Sequence, residues 1–309
     1  MKSELLSARQ IWVAVLVGGL STAAAGAGLA DWRWLLAAGA IGVAAGWLLL
    51  LRVGRGRLHP VLEVAYRAWA VLLMADVLRR AALRVQQASG EGGGPGWLLV
   101  LLALPLIWMG LGKTAAFFRA VEIFWLAMLA VTAVILLLGL PRMDWRWAMQ
   151  PVGSWQGSLL AGALTMSTGL FVLPYLYKVK AGPERPGHGL VWLGALGLLS
   201  AALSLLTTGL LSPGVAVLLE GPFFAAAGLL GESARLEGLI SAVWLLPDLT
   251  LAGLLARGWG DGYWPGAAVL VALGVALTGA TQALPQAVLP AGCLVLAVLT
   301  MVLPPKEKE

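Results

Sequence analysis

The chain has 309 residues, 60% of them hydrophobic and 12% charged, with a formal net charge of +6 and a mean hydropathy of +0.88. Those values lie far from the range of soluble globular domains and point to a polytopic helical membrane protein. The basic excess is spread over the ends of apolar runs with no patch or stripe, which excludes a nucleic-acid surface. The single cysteine, Cys293, excludes an internal disulfide framework and a multi-cysteine metal site.

A window of about 19 residues places apolar spans near 10–28, 34–51, 61–85, 97–111, 117–139, 157–177, 188–211, 236–257, 264–281 and 285–303. Lys2 and Arg9 before the first run also fit a cleavable leader, but the run is long enough to span and many spans follow it. The third segment is amphipathic and weakly hydropathic. Between the seventh and eighth spans, SPGVAVLLEGPFFAAAGLLGES is apolar but split by Glu220, Gly221 and Pro222, and reads as a helical hairpin over 213–231 lying on the outer mouth. No strand pattern, long linker or soluble insert interrupts the series, so residues 1–309 are expected to form a single transmembrane domain.

The positive-inside rule assigns both termini to the cytoplasm. Lys2, Arg9, Arg52, Arg55, Arg57, Lys113, Arg119, Lys178, Lys180, Arg185, Arg257, Lys306 and Lys308 then fall on the inner side, and the Arg79, Arg80, Arg84 cluster is the main exception. Trp32, Trp34, Trp145, Trp147 and Trp155 fall near outer span ends and Trp264 near an inner one, as interfacial anchors do.

Ten spans suggest two inverted halves, about 8–140 and 155–303, with a binding site at mid-membrane. Span one carries GGLSTAAAG and span six LTMSTGLF, each with a Ser-Thr pair beside glycine at half depth. If both helices unwind there, their bared amides and carbonyls can hold a zwitterion or an ion. Gly18, Gly19, Ser21, Thr22, Thr165, Ser167, Thr168 and Gly169 are therefore the candidate ligand-binding residues. The competing reading is close helix packing, which uses the same small residues.

LSARQ at the first span, the Asp31-Trp32 pair, GLGKTAAFFRAVEI into the fifth span and ESARLEGLISAVWLLPDL into the eighth resemble the endospore germination permeases. These are the B subunits of nutrient germinant receptors, within the amino acid, polyamine and organocation transporter superfamily. The resemblance implies a ten-helix fold with helices one and six broken and an outer hairpin lid. It also implies a small nutrient, often an amino acid, bound between the broken helices, and A and C partner subunits in the cell or spore inner membrane. A proton-coupled amino acid transporter is the second functional reading.

Among charges inside the spans, Asp248 is the most deeply placed acid, next to Pro247. The resemblance suggests that a basic side chain replaces a sodium ion where spans one, five and eight meet, so Arg119 is expected to reach Asp248 or the backbone of span one. The alternative is that Arg119 snorkels to the surface and pairs with Glu122. Asp76 with Arg79 and Arg80, and Glu63 with Arg67, have helical ion-pair spacing. Glu220 is read as solvated at the mouth or touching a ligand amine. His59 and His188 lie far apart in sequence with no acid at metal-ligand spacing, and GLGK lacks the glycine spacing of a phosphate loop. No Ser-His, Ser-Lys, paired-acid or multi-histidine set converges, so neither an enzyme nor a metal or other cofactor is expected. A pocket lined by Gly, Ser, Thr and apolar residues would suit a small neutral zwitterion.

Overall fold

The computed structural model describes residues 6–53, 59–89, 96–176, 187–219, 221–230, 234–260, 264–282 and 288–303. Within them the chain is helical and has no strand. Ten helices have at least 15 residues: α1 (Ala8–Gly26), α2 (Trp32–Val53), α3 (Pro60–Ser89), α4 (Gly96–Leu111), α5 (Thr114–Gly139), α7 (Trp155–Leu176), α8 (Gly187–Leu211), α11 (Ala234–Gly260), α12 (Trp264–Gln282) and α13 (Val288–Val302). Three short helices stand between them: α6 (Trp145–Ala148), α9 (Pro213–Ala216) and α10 (Pro222–Gly228). Segments in α2, α5, α8 and α11 are long and apolar enough to cross a bilayer, and α4, α12 and α13 contain shorter apolar helices. Large apolar side chains face outward along α5, with Leu137 72% and Ile123 66% exposed, as a lipid-facing helix requires. The chain is an integral membrane protein.

Local chemistry explains where the helices stop and start. Ser7 caps α1 in a reciprocal box with Gln10. At the far end the chain turns through Gly28 at φ 85°, where a Cβ would also stand 2.6 Å from the Thr207 methyl, so the turn requires glycine. Ser204 of α8 stitches this turn by accepting from the Gly28 amide and donating to the Ala30 carbonyl. Asp31 then caps α2, accepting from the Arg33 amide while its own amide donates to Ser158 of α7. Trp34 packs against Trp155, and Trp32 Nε1 donates to the Ala148 carbonyl, so these three expected anchors gather at one end with Trp145 and Trp147 of α6. At the opposite end, Arg257 of α11 donates to the Met109 and Gly112 carbonyls and so fastens the α4–α5 turn.

Glycine sets the helix crossings. A Cβ on Gly39 of α2 would lie 2.9 Å from the Gly197 Cα of α8, so these backbones touch. Gly42 receives Met166 of α7, Gly162 of α7 receives Ala38 of α2, and Gly46 receives Leu193 of α8. The core follows from these contacts: α1 runs through the middle, packed on α5, α7, α8 and α11, while α3 packs mainly on α11 and α12.

One expectation is corrected here. Helices one and six are not broken at mid-depth: α1 continues through Gly18–Thr22 and α7 through Thr165–Gly169 without interruption. The physical reason is visible in the surroundings. Unpaired backbone groups are expensive in an apolar interior, and the glycines are used to admit side chains. An added Cβ on Gly19 would stand 2.6 Å from Leu196 Cδ2 and one on Gly169 3.3 Å from the same atom, so Leu196 of α8 fills the space between α1 and α7.

Candidate ligand site

A cavity of about 330 Å³ opens at the end of the bundle where α1 finishes and α7 begins. It is a wedge between α3 and α7. The two helices meet through the stacked rings of Tyr66 and Phe171, 4.9 Å between centroids. Further along they separate, and the gap is walled by Asp76, Arg79, Arg80 and Arg84 of α3 and by Leu164 and Thr165 of α7. Thr22 of α1 and Ser200 of α8 complete the sides. Gly221, in the left-handed region at φ 99°, and Phe224 place α10 across the mouth.

Sequence periodicity builds the charged wall. Asp76, Arg80 and Arg84 recur every four residues and so occupy one stripe of α3. Arg80 Nε lies 2.9 Å from Asp76 Oδ2, close enough for an ion pair but misaligned for a hydrogen bond, and Arg79 Nη2 donates to Asp76 Oδ1 at 3.1 Å. Arg80 Nη1 donates to the Ser21 carbonyl at 3.2 Å, tying α3 to α1.

Beneath the cavity lies a buried charge network. Asp248 of α11 is wholly buried; its Oδ1 accepts from Ser21 Oγ at 2.5 Å and its Oδ2 from Arg84 Nη1 at 2.5 Å. Arg84 Nη1 also donates to the Trp244 carbonyl at 2.9 Å, in the turn before Asp248 that Pro247, lacking an amide hydrogen, leaves loosened. The Arg84 guanidinium sits 4.6 Å from the centre of the Phe224 ring, a cation–π contact with the helix that covers the mouth. A second lid contact, Phe223 against Trp244 at 4.7 Å, sets α10 on α11. Burying an ion pair is costly unless its remaining donors and acceptors are met, and Ser21, the Trp244 carbonyl and Phe224 meet them.

The structure distributes the expected site residues unevenly. Thr22 and Thr165 line the cavity. Gly18 packs against Leu251 and Leu254, and Gly19 and Gly169 against Leu196. Ser21 is committed to Asp248, while Ser167 and Thr168 are buried and donate to the Leu164 carbonyl of their own helix. These six residues stand outside the cavity wall because α1 and α7 stay intact.

The expected pairing of Arg119 with Asp248 is also corrected, because Asp248 is occupied by Arg84 and Ser21. Arg119 is exposed on α5, and Glu122 instead meets Arg9 at 3.5 Å and accepts from Gln10 Nε2. The ion pairs of Arg67 with Glu63 and of Arg79 and Arg80 with Asp76 form at the predicted spacings. His59 accepts from the Val61 amide at the start of α3. Glu220 and the side chains of His188 and Trp264 lie outside the described residues. Among those described, no cluster of three or more His, Cys, Asp or Glu could hold a metal.

Arg84 is the residue that reading for topology missed. Its signal was present as a third charge, in register with Asp76 and Arg80, on a helix otherwise able to bury that face. No protein-family model matches the chain, and no curated protein matches it.

Proposed function

We propose that the chain is a permease-like, nutrient-sensing membrane subunit of the spore germinant-receptor type, which takes a small amino-acid-like solute into the cavity beneath α10. The observation that carries this reading is the cavity: about 330 Å³, bounded by α1, α3, α7 and α8, polar on its α3 wall and roofed by a short helix. Small-molecule sites are concavities of about 300 to 1,000 Å³ with a few convergent polar groups. Thr22, Thr165 and Ser200 offer hydroxyls, and Asp76 with its arginines offers both signs of charge.

Helix packing supports the ten-span, inverted-repeat architecture that this function entails. Counting only the long helices, contacts recur when both partners are shifted by five. α1 packs on α5 as α7 does on α13, α1 on α8 as α7 on α2, and α3 on α12 as α11 on α4. The cavity lies on the counterpart of the α1–α11 contact, between α7 and α3. In this reading both termini are cytoplasmic, the membrane is the cell or spore inner membrane, and A and C subunits receive the rearrangement that ligand produces.

The test is binding and flux with the full chain in lipid vesicles and labelled amino acids. Saturable binding without accumulation, abolished by Thr165→Trp, is the expected result. Uphill uptake driven by a proton gradient would replace the receptor with a proton-coupled transporter. Absence of binding by every amino acid would overturn both.

A further inference from the structure

The wall of the cavity carries more positive than negative charge among the described residues. Among the described residues around it, the guanidiniums of Arg79, Arg80 and Arg84 face the carboxylates of Asp76 and Asp248. Asp248 is taken by Arg84, with Ser21 on its other oxygen. Asp76 is therefore shared by two arginines, leaving one positive charge without a carboxylate of its own among the described residues. Arg79 and Arg80 both line the cavity, and a charge without its own counterion is costly inside a membrane protein. A solute that brought only a neutral zwitterion would leave this excess in place.

We infer that the cavity holds an oxyanion group, a carboxylate or phosphate, against Arg79 and Arg80, and that its ligand carries net negative charge. This rests on the cavity being the ligand site and changes the class of ligand expected from the sequence, whose Gly, Ser and Thr residues suit a neutral zwitterion. Guanidinium is the side chain best matched to such a group, because its donors form a planar fork that meets two oxygens at once. Thr22 and Thr165 on the facing walls supply polar contacts for the remainder of the molecule. The oxyanion can come from a free solute or from the headgroup of an anionic lipid.

Full-length protein in phosphatidylcholine nanodiscs, titrated with L-glutamate, inorganic phosphate, L-alanine and ethylamine, tests the inference by calorimetry and by shift in melting temperature. Glutamate or phosphate should bind and raise the melting temperature, and ethylamine should not. Arg79→Gln should weaken that binding roughly tenfold to a hundredfold, as loss of a hydrogen bond to a charged group does, and Arg79→Lys should recover part of it. Arg79 is 25% exposed, and the unliganded melting temperature of each variant checks its folding. In phosphatidylglycerol nanodiscs, loss of solute binding with a raised melting temperature that Arg79→Gln removes would identify the headgroup as the source. L-alanine binding at least as tightly as glutamate, unaffected by Arg79→Gln, would overturn the charge inference and leave an amino-acid site. Phosphate binding with no amino acid bound would keep the inference and overturn the amino-acid reading. No anion effect in either lipid would overturn the inference.

Discussion

Arg84 and Asp248, 164 positions apart in the chain, meet at 2.5 Å in the protein interior, with 7% and 0% of their side chains exposed. This pair joins α3 to α11, and Ser21 extends it to α1. Removing one member leaves the other buried without its partner. Asp248→Asn or Arg84→Met should therefore destabilise the protein by about 3 to 5 kcal/mol, whereas Arg84→Met combined with Asp248→Leu should cost much less. Thermal unfolding of the three variants in the same detergent measures the difference. Equal losses in the single and double variants would show that the pair is not coupled.

Glycine positions give a second expectation. Gly19→Leu should cost about 1 to 3 kcal/mol by overpacking, because Leu196 already occupies the space beside Gly19. Leu196→Ala in the same chain should return part of the loss. If Gly19 lined the ligand site instead, binding would fall at unchanged melting temperature, and Leu196→Ala would not compensate.

Thr22 and Gly18 separate cavity from packing on a single helix. Thr22→Trp should fill the cavity and abolish solute binding while the protein stays folded. Gly18→Ala should leave binding intact, since a Cβ there meets ordinary contact distances of 3.4 Å and more. Titration of both variants with the solute that binds the native chain distinguishes them.

The Asp31–Arg33 pair at the start of α2 predicts a pH response. Burial acts to raise the Asp31 carboxyl, but the hydrogen bonds and charge of Arg33 outweigh it, leaving its pKa below the ordinary value. A lowered folded-state pKa contributes stability that is present above the unfolded value, about 3.9, and is lost as pH falls through the folded one. The melting temperature of the native chain should therefore fall faster than that of Asp31→Asn as pH drops below about 4. Parallel curves for the two proteins would remove the pair from the acid response.

The helices were largely legible because their ends carry strong punctuation. The apolar run of α1 stops at Gly26 and Gly28, α2 starts after Asp31, and the seventh span ends before Pro213. The predicted segments overlap the ten long helices closely, including the amphipathic third one. The site was less legible for two physical reasons. Small residues at mid-depth serve close packing and backbone exposure equally well, and only the placement of Leu196 between Gly19 and Gly169 separates the two. Arginines near a span end look the same in sequence whether they reach lipid headgroups or turn inward, and Arg84 turns inward because Asp248, from a distant segment, receives it.

The touching backbones of Gly39 and Gly197 bear on how the cavity could ever change size. With α2 seated on α8 there, and Met166 and Ala38 interlocked with glycines across the α2–α7 contact, one flank of the chamber is a braced panel with no slack for sliding. The opposite flank, the thirty-residue rod of α3, is seated in the same way, with Met74 against Gly274 of α12 and Trp69 against Gly292 of α13. With both flanks braced, Arg79 and Arg80 are held at a fixed spacing from Thr22 and Thr165 across the chamber, and a guest has to match that spacing.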